Sequence, residues 1–488
     1  MSAVLDTPVA NVERTVGQRR AAGVGLIVAI FVALAVYIAD TAPNVTTGAI
    51  VVVLLLLAFH RVLLSWQTML IGIVLVIVLI PIRRYTIGGG LPIALEPYRI
   101  LIIGIMIAWV ASLVVQPATR FRRTGFEAPV LAILGVMLLS MVANLPRVTA
   151  PGITSEVVKT TTFFLSFFLV MWFVSSVVVR RQLLYRLVKV LVGAGTFAAL
   201  ATIYESRTGY NIFSHIPMLH MDEAPETFIR GAGLRAYGSG QHPIATGAAF
   251  VMLLPLAIFL YKLTSRRWWA LAAVALLLGA LVTQSRTAVV MAIVELIAFA
   301  FVRPRETRRI LPLLLPLLLV VHVVSPGIIG SLKNSFAPSG GLVAYEEGGA
   351  GTEGSGRLAD LGPGLHEWQR QPLFGQGFGT RITGAENPKA NAPILDDQWL
   401  GVLLEVGLAG FCAFVWLFVR SIRKLNRFAR RDRTAHGWLL VGIAASLTGY
   451  AIGMATFDAF GFIQVTFLVF ILLGLGAAAL RPDRLNAA

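Results

Sequence analysis

The chain is built from long apolar runs separated by short polar links. Runs of about twenty apolar residues match the hydrocarbon thickness of a bilayer. They fall at roughly 22–39, 46–60, 65–81, 99–116, 128–144, 160–179, 185–204, 243–261, 268–283, 287–302, 309–324, 398–420, 437–455 and 461–480. Within each run the apolar residues are continuous rather than alternating, which predicts helices and not the strands of a barrel. The expected fold is therefore all-α, a polytopic integral membrane protein of about fourteen transmembrane helices. The second and third runs are joined only by the short link at His60–Arg61. No small-residue cleavage site follows the first run, so it reads as a retained helix and not a signal peptide.

Two links are too long to be turns, Glu205–Gln241 and Ser325–Leu395, and the second is rich in Gly and Pro. Such loops between membrane helices are functional or unstructured. The expected organisation is N-terminal helices over 1–204, a first loop over 205–242 and central helices over 243–324. A large loop over 325–395 and C-terminal helices over 396–488 complete it.

Composition excludes a soluble fold: 57% of residues are apolar and 13% charged, against about a quarter charged in soluble domains. The net charge of +17 raises the question of nucleic acid, and its distribution answers it. With the N-terminus inside, Arg14, Arg19 and Arg20 fall on the same side as Arg120, Arg122, Arg123, Arg180, Arg181, Arg186, Lys262, Arg266 and Arg267. So do Arg303, Arg305, Arg308 and Arg309, the run from Arg420 to Arg433, and Arg481 and Arg484. This positive-inside pattern predicts a multi-pass protein of the cytoplasmic membrane with both termini cytoplasmic and both long loops extracytoplasmic. The basic excess then faces anionic headgroups of the lipid bilayer, and no nucleic-acid partner is expected. Cys412 is the single cysteine, which excludes an internal disulfide framework. No metal-ligand spacing occurs, and no metal or cofactor is expected.

Candidate chemistry lies where residues break this pattern. Arg230, Arg235, Arg286, Arg357 and Arg381 fall on the expected outer side. Arg286, in TQSRTA between two apolar runs, has two readings: a snorkelling arginine at a helix end, or a phosphate ligand whose planar fork fits the oxygens. In RGAGLRAYGSGQHP, Arg230 and Arg235 precede Gln241, His242 and Pro243 at the start of a helix. Arginines beside a helix N-terminus make a plausible anion site. His242 reads either as a proton-transfer group or as a capping and packing residue. Asp396 and Asp397 begin DDQWLGVLLEVGLAG and read either as an N-cap or as a general base towards a hydroxyl. Glu405 follows about two turns inside the apolar run, where a charged group should face the bundle interior or a cavity. Asp458, in TFDAFGF, is a candidate for the same cavity.

Three blocks resemble the O-antigen ligase and polymerase superfamily of bacterial membrane glycosyltransferases: SRTA at 285–288, the stretch from Arg357 through Trp368 and Pro372 to GQGFG at 375–379, and DDQWLGVLLEVGLAG at 396–410. The resemblance covers roughly 230–420. It implies an all-helical enzyme that takes a glycan from a polyprenyl diphosphate carrier and transfers it to an acceptor hydroxyl on a glycan, lipid or protein, without a metal. It further implies that Arg286 and Arg357 grip the diphosphate. Our own reading of the residues adds Arg230, Arg235, Gln241, His242, Arg381, Asp397 and Asp458 as candidates for binding diphosphate or glycan, and Asp396 as the group that orients or deprotonates the acceptor hydroxyl. Where the ligases carry a histidine this chain has Asp396, and Asp397 stands in place of the following asparagine. That departure leaves ligase and polymerase both open. The alternative of another class is a lipid-linked glycan flippase. It would be expected to show two related halves, and no internal repeat is visible.

Overall fold

A computed structural model describes residues 65–86, 96–116, 119–216, 220–221, 228–230, 233–310, 361–381 and 396–481, with isolated positions between them. The runs expected as helices at 22–39, 46–60 and 309–324 lie outside the described residues. Each of the other eleven runs coincides with a helix.

In chain order the helices are α1 Trp66–Leu79, α2 Pro97–Val115, α3 Glu127–Ala143, α4 Leu145–Val148, α5 Ile153–Val177, α6 Arg181–Thr208 and α7 Pro243–Thr264. They continue as α8 Arg267–Val282, α9 Arg286–Val302, α10 Pro304–Ile310, α11 Leu361–Trp368, α12 Gln398–Arg431, α13 Ala435–Gly453 and α14 Ile463–Ala479. Two antiparallel ribbons of two-residue strands interrupt the helical pattern, Tyr85–Thr86 with His220–Met221 and Ile229–Arg230 with Gly233–Leu234. Among the described residues six helices, α2, α5, α6, α7, α12 and α13, are long and apolar enough to cross a bilayer. Four shorter apolar helices, α1, α3, α8 and α14, pack among them.

Several helices outrun the apolar pattern. α5 begins at Ile153, seven residues before the expected run, and α12 continues to Arg431 through an arginine- and lysine-rich stretch. Hydropathy marks only the membrane part of a helix, whereas Arg and Lys are good helix formers that extend it into the polar phase.

Burial identifies the bundle centre. Every residue of α14 is buried, the signature of a helix surrounded by others. It packs on α5 through phenylalanines: Phe167 stacks on Phe470 at 5.6 Å and meets Phe467 edge-on at 4.6 Å. At the periphery, α2 exposes Ile103, Ile107, Val110 and Val114, spaced as one helix face, which suits lipid contact. In α7, Pro255 interrupts the hydrogen-bond ladder, and Ser446 of α13 donates to the nearby Met252 carbonyl at 2.7 Å.

Antiparallel packing gives the bundle two chemically different ends. At one, Arg303 donates to the carbonyls of Ala429 and Asp432, Arg481 to Ser175, and Arg420 to Gly125. At the other end lie the links that carry every described candidate site residue.

Candidate functional site

The site is organised by a break in α12. Gly407 has φ 66° and ψ −168°, so the helix is two half-helices, and the break frees carbonyls below it and N–H groups above it. The segment Pro372–Gly379 fills the gap as a strap. Gln376 donates to the Leu404 carbonyl at 2.8 Å and Gly377 to that of Glu405 at 3.1 Å. In return Leu408 donates to Pro372 at 2.8 Å and Ala409 to Leu373 at 3.2 Å. The spacing of the two sequence blocks follows from this stitch: GQGFG approaches the backbone of EVGLAG so closely that a Cβ on Gly375 would stand 2.5 Å from the Glu405 carbonyl carbon. Two side chains at the α3–α4 corner secure the strap, and one from α3 holds the break in α12 beneath it. Asn144 donates to Gly375 O at 2.9 Å, Arg147 to Gln376 Oε1 at 2.7 Å, and Ser140 to Glu405 O at 2.7 Å.

Carboxylates converge next to the strap. Asp397 is the N-cap of α12, its Oδ1 accepting from Trp399 at 2.8 Å and Leu400 at 3.1 Å, and burial raises its carboxyl above the usual value. The N-cap reading therefore holds for Asp397. Its neighbour Asp396 is half-buried at the mouth of the helix and is a charged neighbour of Asp458. Asp458 accepts from Gly461 N–H at 3.2 Å. Burial, reinforced by Asp396 and opposed by Gly461 and Arg83, pushes its carboxyl from 3.8 up to about 6. Glu405, at the end of the first half-helix, has Arg381 and Asp458 as charged neighbours. It thus sits in the same cluster as Asp458, as its position inside an apolar run requires. Arg381 in turn meets Glu367 of α11 at 3.4 Å.

The arginines gather on the adjoining turn. Arg286 is the first residue of α9, half-buried, behind the N-cap Ser285, whose Oγ accepts from Ala288 at 3.3 Å. Arg235 is buried and donates from Nε to the Thr283 carbonyl at 3.2 Å, so both arginines frame the turn Thr283–Arg286. That turn is tied to the α13–α14 link by Thr287 and Thr456, whose hydroxyls lie 2.9 Å apart, two residues from Asp458. The same link binds α12, with Phe460 N–H donating to Gln398 at 2.7 Å.

His242 acts structurally here. It is the N-cap of α7, accepting at Nδ1 from Ile244 at 3.1 Å, and its ring lies against Phe228 and Phe462. Gln241 beside it is half-buried, with Oε1 enclosed and lacking a hydrogen-bond partner among the described residues. For Arg230 only the strand backbone is described, and Arg357 lies outside the described residues.

Sequence reasoning passed over four residues. Arg83 is exposed at the rim and is a charged neighbour of Asp458. Arg84 is buried, donates to Ser214 and Gly240, and covers the Tyr237 ring at 4.6 Å. Arg147 anchors the strap. Glu205, at the end of α6, accepts from Gly238 at 2.7 Å and Tyr237 at 3.3 Å and so fixes the loop that leads to His242. The signal for the arginines was available: like Arg286, all three interrupt the positive-inside pattern.

Comparison with curated proteins finds no match to the chain. Residues 271–415 match the family model for O-antigen ligase, a stretch that runs from α8 through the Arg286 turn and the strap into α12. Over that stretch the match supports membership of the O-antigen ligase superfamily.

Proposed function

We propose that this protein transfers a glycan from a polyprenyl diphosphate carrier to an acceptor hydroxyl at the extracytoplasmic face of the cytoplasmic membrane. The observation that carries the reading is the convergence of dispersed blocks. The Arg286 turn and the start of α12 that follows Asp396 and Asp397 both bond to the link between α13 and α14, and the GQGFG strap is bonded into the break of the same α12. Cations and carboxylates occupy adjoining sectors there, which suits an anionic leaving group beside a hydroxyl nucleophile.

In this mechanism Arg286, with Arg235, Arg230 and Arg357, holds the diphosphate and stabilises the charge that develops on it. Preorganised positive charge in a site shielded from water is usually a leading catalytic contribution. The acceptor oxygen bonds to the anomeric carbon as the bond from that carbon to the phosphate oxygen breaks. Asp396 takes the acceptor proton, and the polyprenyl diphosphate departs. Asp458 borders the acceptor, while Asp397 caps α12, and His242 with Gln241 shapes the opposite wall. The reaction proceeds without a metal. Ligase and polymerase differ only in whether the acceptor is a lipid or protein on one hand, or another glycan on the other.

The test is transfer by the purified protein in nanodiscs, using a carrier-linked glycan pool from its host. Arg286→Ala should abolish transfer and Asp396→Asn should lower it by about 100-fold or more, each with the wild-type elution profile. Full activity in Arg286→Ala would overturn the assignment.

A further inference from the structure

Basic residues at the bundle end opposite the candidate site divide into two groups. Arg303, Arg420 and Arg481 donate to backbone carbonyls of neighbouring elements, and Lys424 lies 5.6 Å from the centre of the Phe126 ring. These residues hold helix ends together. Arg423, Arg427, Arg430 and Arg431 of α12 do not: all are exposed, and among the described residues their guanidiniums meet no hydrogen-bond acceptor and no carboxylate. With Asn426 they line one open pocket, and their spacing puts them on one face of the helix. The one acidic residue between Arg420 and Arg433, Asp432, is engaged by Thr434, whose N–H and hydroxyl donate to it at 2.8 and 2.6 Å. Like charges three and four residues apart repel, so this pocket calls for an anionic partner.

The same face continues into the bilayer. Stepping back from Arg423 by three or four residues at a time, α12 exposes Val419, Trp416, Cys412 and Leu408. The change from apolar to cationic occurs beside the start of α3, where Arg420 bonds to Gly125 and Lys424 covers Phe126. One stripe of α12 thus offers contact for acyl chains and, directly beyond it, cations at headgroup level. A guanidinium fits phosphate oxygens in a planar fork. Arg423 to Arg431 spans about 12 Å along the helix, so a single phosphate engages one end of the pocket and leaves the other unneutralised.

We propose that this face of α12 binds one phospholipid whose headgroup carries two phosphates. The acyl chains lie along Leu408–Val419 and the phosphates sit among Arg423, Arg427, Arg430 and Arg431. Such a site has a defined stoichiometry, unlike the diffuse attraction of basic loops to an anionic leaflet.

The experiment labels full-length protein with a fluorophore at Cys412, its single cysteine, in nanodiscs of neutral phospholipid. Cardiolipin with brominated acyl chains, which quench on contact, is added in steps; brominated phosphatidylglycerol at equal total charge is the comparison. Quenching by cardiolipin should saturate at the lower charge density, and native mass spectrometry should retain one cardiolipin per protein. Arg427→Gln with Arg430→Gln should raise the half-saturating cardiolipin content by about 10- to 30-fold. Arg308→Gln with Arg309→Gln removes the same charge from exposed positions of α10 at the same end and should leave it unchanged. Equal quenching by the two lipids, or equal shifts in the two double variants, would mean diffuse attraction and overturns the proposal. Absence of quenching overturns it too, since the face would then be covered by protein. If the Arg427 and Arg430 variant does not elute as the wild type does, Arg423→Gln with Arg431→Gln takes its place; the same shift is expected, and an unchanged half-saturation again overturns the proposal.

Discussion

Gly375→Ala tests whether the strap is held by the helix break. An added Cβ would stand 2.5 Å from the carbonyl carbon of Glu405, 2.6 Å from its oxygen and 2.7 Å from the nitrogen of Gly407. These are backbone atoms, which cannot turn aside as a side-chain tip can. Gly375 also has φ 66°, a conformation that costs a residue with a Cβ about 1–2 kcal/mol. Overpacking adds about 1–3 kcal/mol, so the docked strap is raised by about 2–5 kcal/mol. Four backbone hydrogen bonds hold it in the break, each contributing about 1 kcal/mol net. The two quantities are comparable, so the substitution should release the strap part of the time without unfolding the bundle. At 1.4 kcal/mol per tenfold, the opening equilibrium rises by about 30- to 4,000-fold. Hydrogen exchange at Gln376, Gly377, Leu408 and Ala409 measures this directly. Gly362→Ala is the control, since a Cβ there meets nothing within 4 Å, and it should leave exchange unchanged. Wild-type protection in Gly375→Ala would refute the stitched arrangement of strap and helix.

Two further outcomes follow from the carboxylates. Asp458 is raised from 3.8 to about 6, so the folded protein keeps a proton that the unfolded chain releases. Stability should then fall as pH rises from about 4 to about 6 and level off above; Asp458→Asn should remove that slope from thermal unfolding midpoints measured across the range, and an unchanged slope would contradict it. Asp397→Ala removes two accepted hydrogen bonds at the start of α12 and should cost about 1 kcal/mol. Asp397→Asn, which keeps the cap, should restore most of this in the same unfolding assay, whereas equal losses would argue that the carboxylate's charge matters.

The membrane architecture was legible because hydropathy reports directly on what faces lipid. Eleven of the expected runs match helices, and their two ends separate the basic clusters from the candidate site. Helix ends were less legible, as α12 shows: its arginine-rich extension is helical for reasons of propensity and not of hydropathy. The chemistry of Asp397 and His242 was open in the sequence because a cap and a catalytic group use the same residue types at the same place, and only hydrogen-bond geometry separates them. The cost of burying charge led us to expect Glu405 and Asp458 near one another, and they are charged neighbours. The break at Gly407 could not be read, since a glycine within an apolar helix is tolerated and gives no sign of whether the helix continues. Nor does sequence reveal that GQGFG fills that break, because the pairing depends on two segments about thirty residues apart along the chain.

The most direct test of the central claim is the fate of the lipid carrier. Wild-type protein in nanodiscs is incubated with a polyprenyl diphosphate-linked glycan and a candidate acceptor, and carrier and acceptor are followed by mass spectrometry. Glycan transfer requires that bare polyprenyl diphosphate appears in step with the glycosylated acceptor, and that both are lost in Arg286→Ala. A donor that stays intact with every acceptor, while crossing from one leaflet to the other in a vesicle assay, would contradict the account and make this protein a transporter.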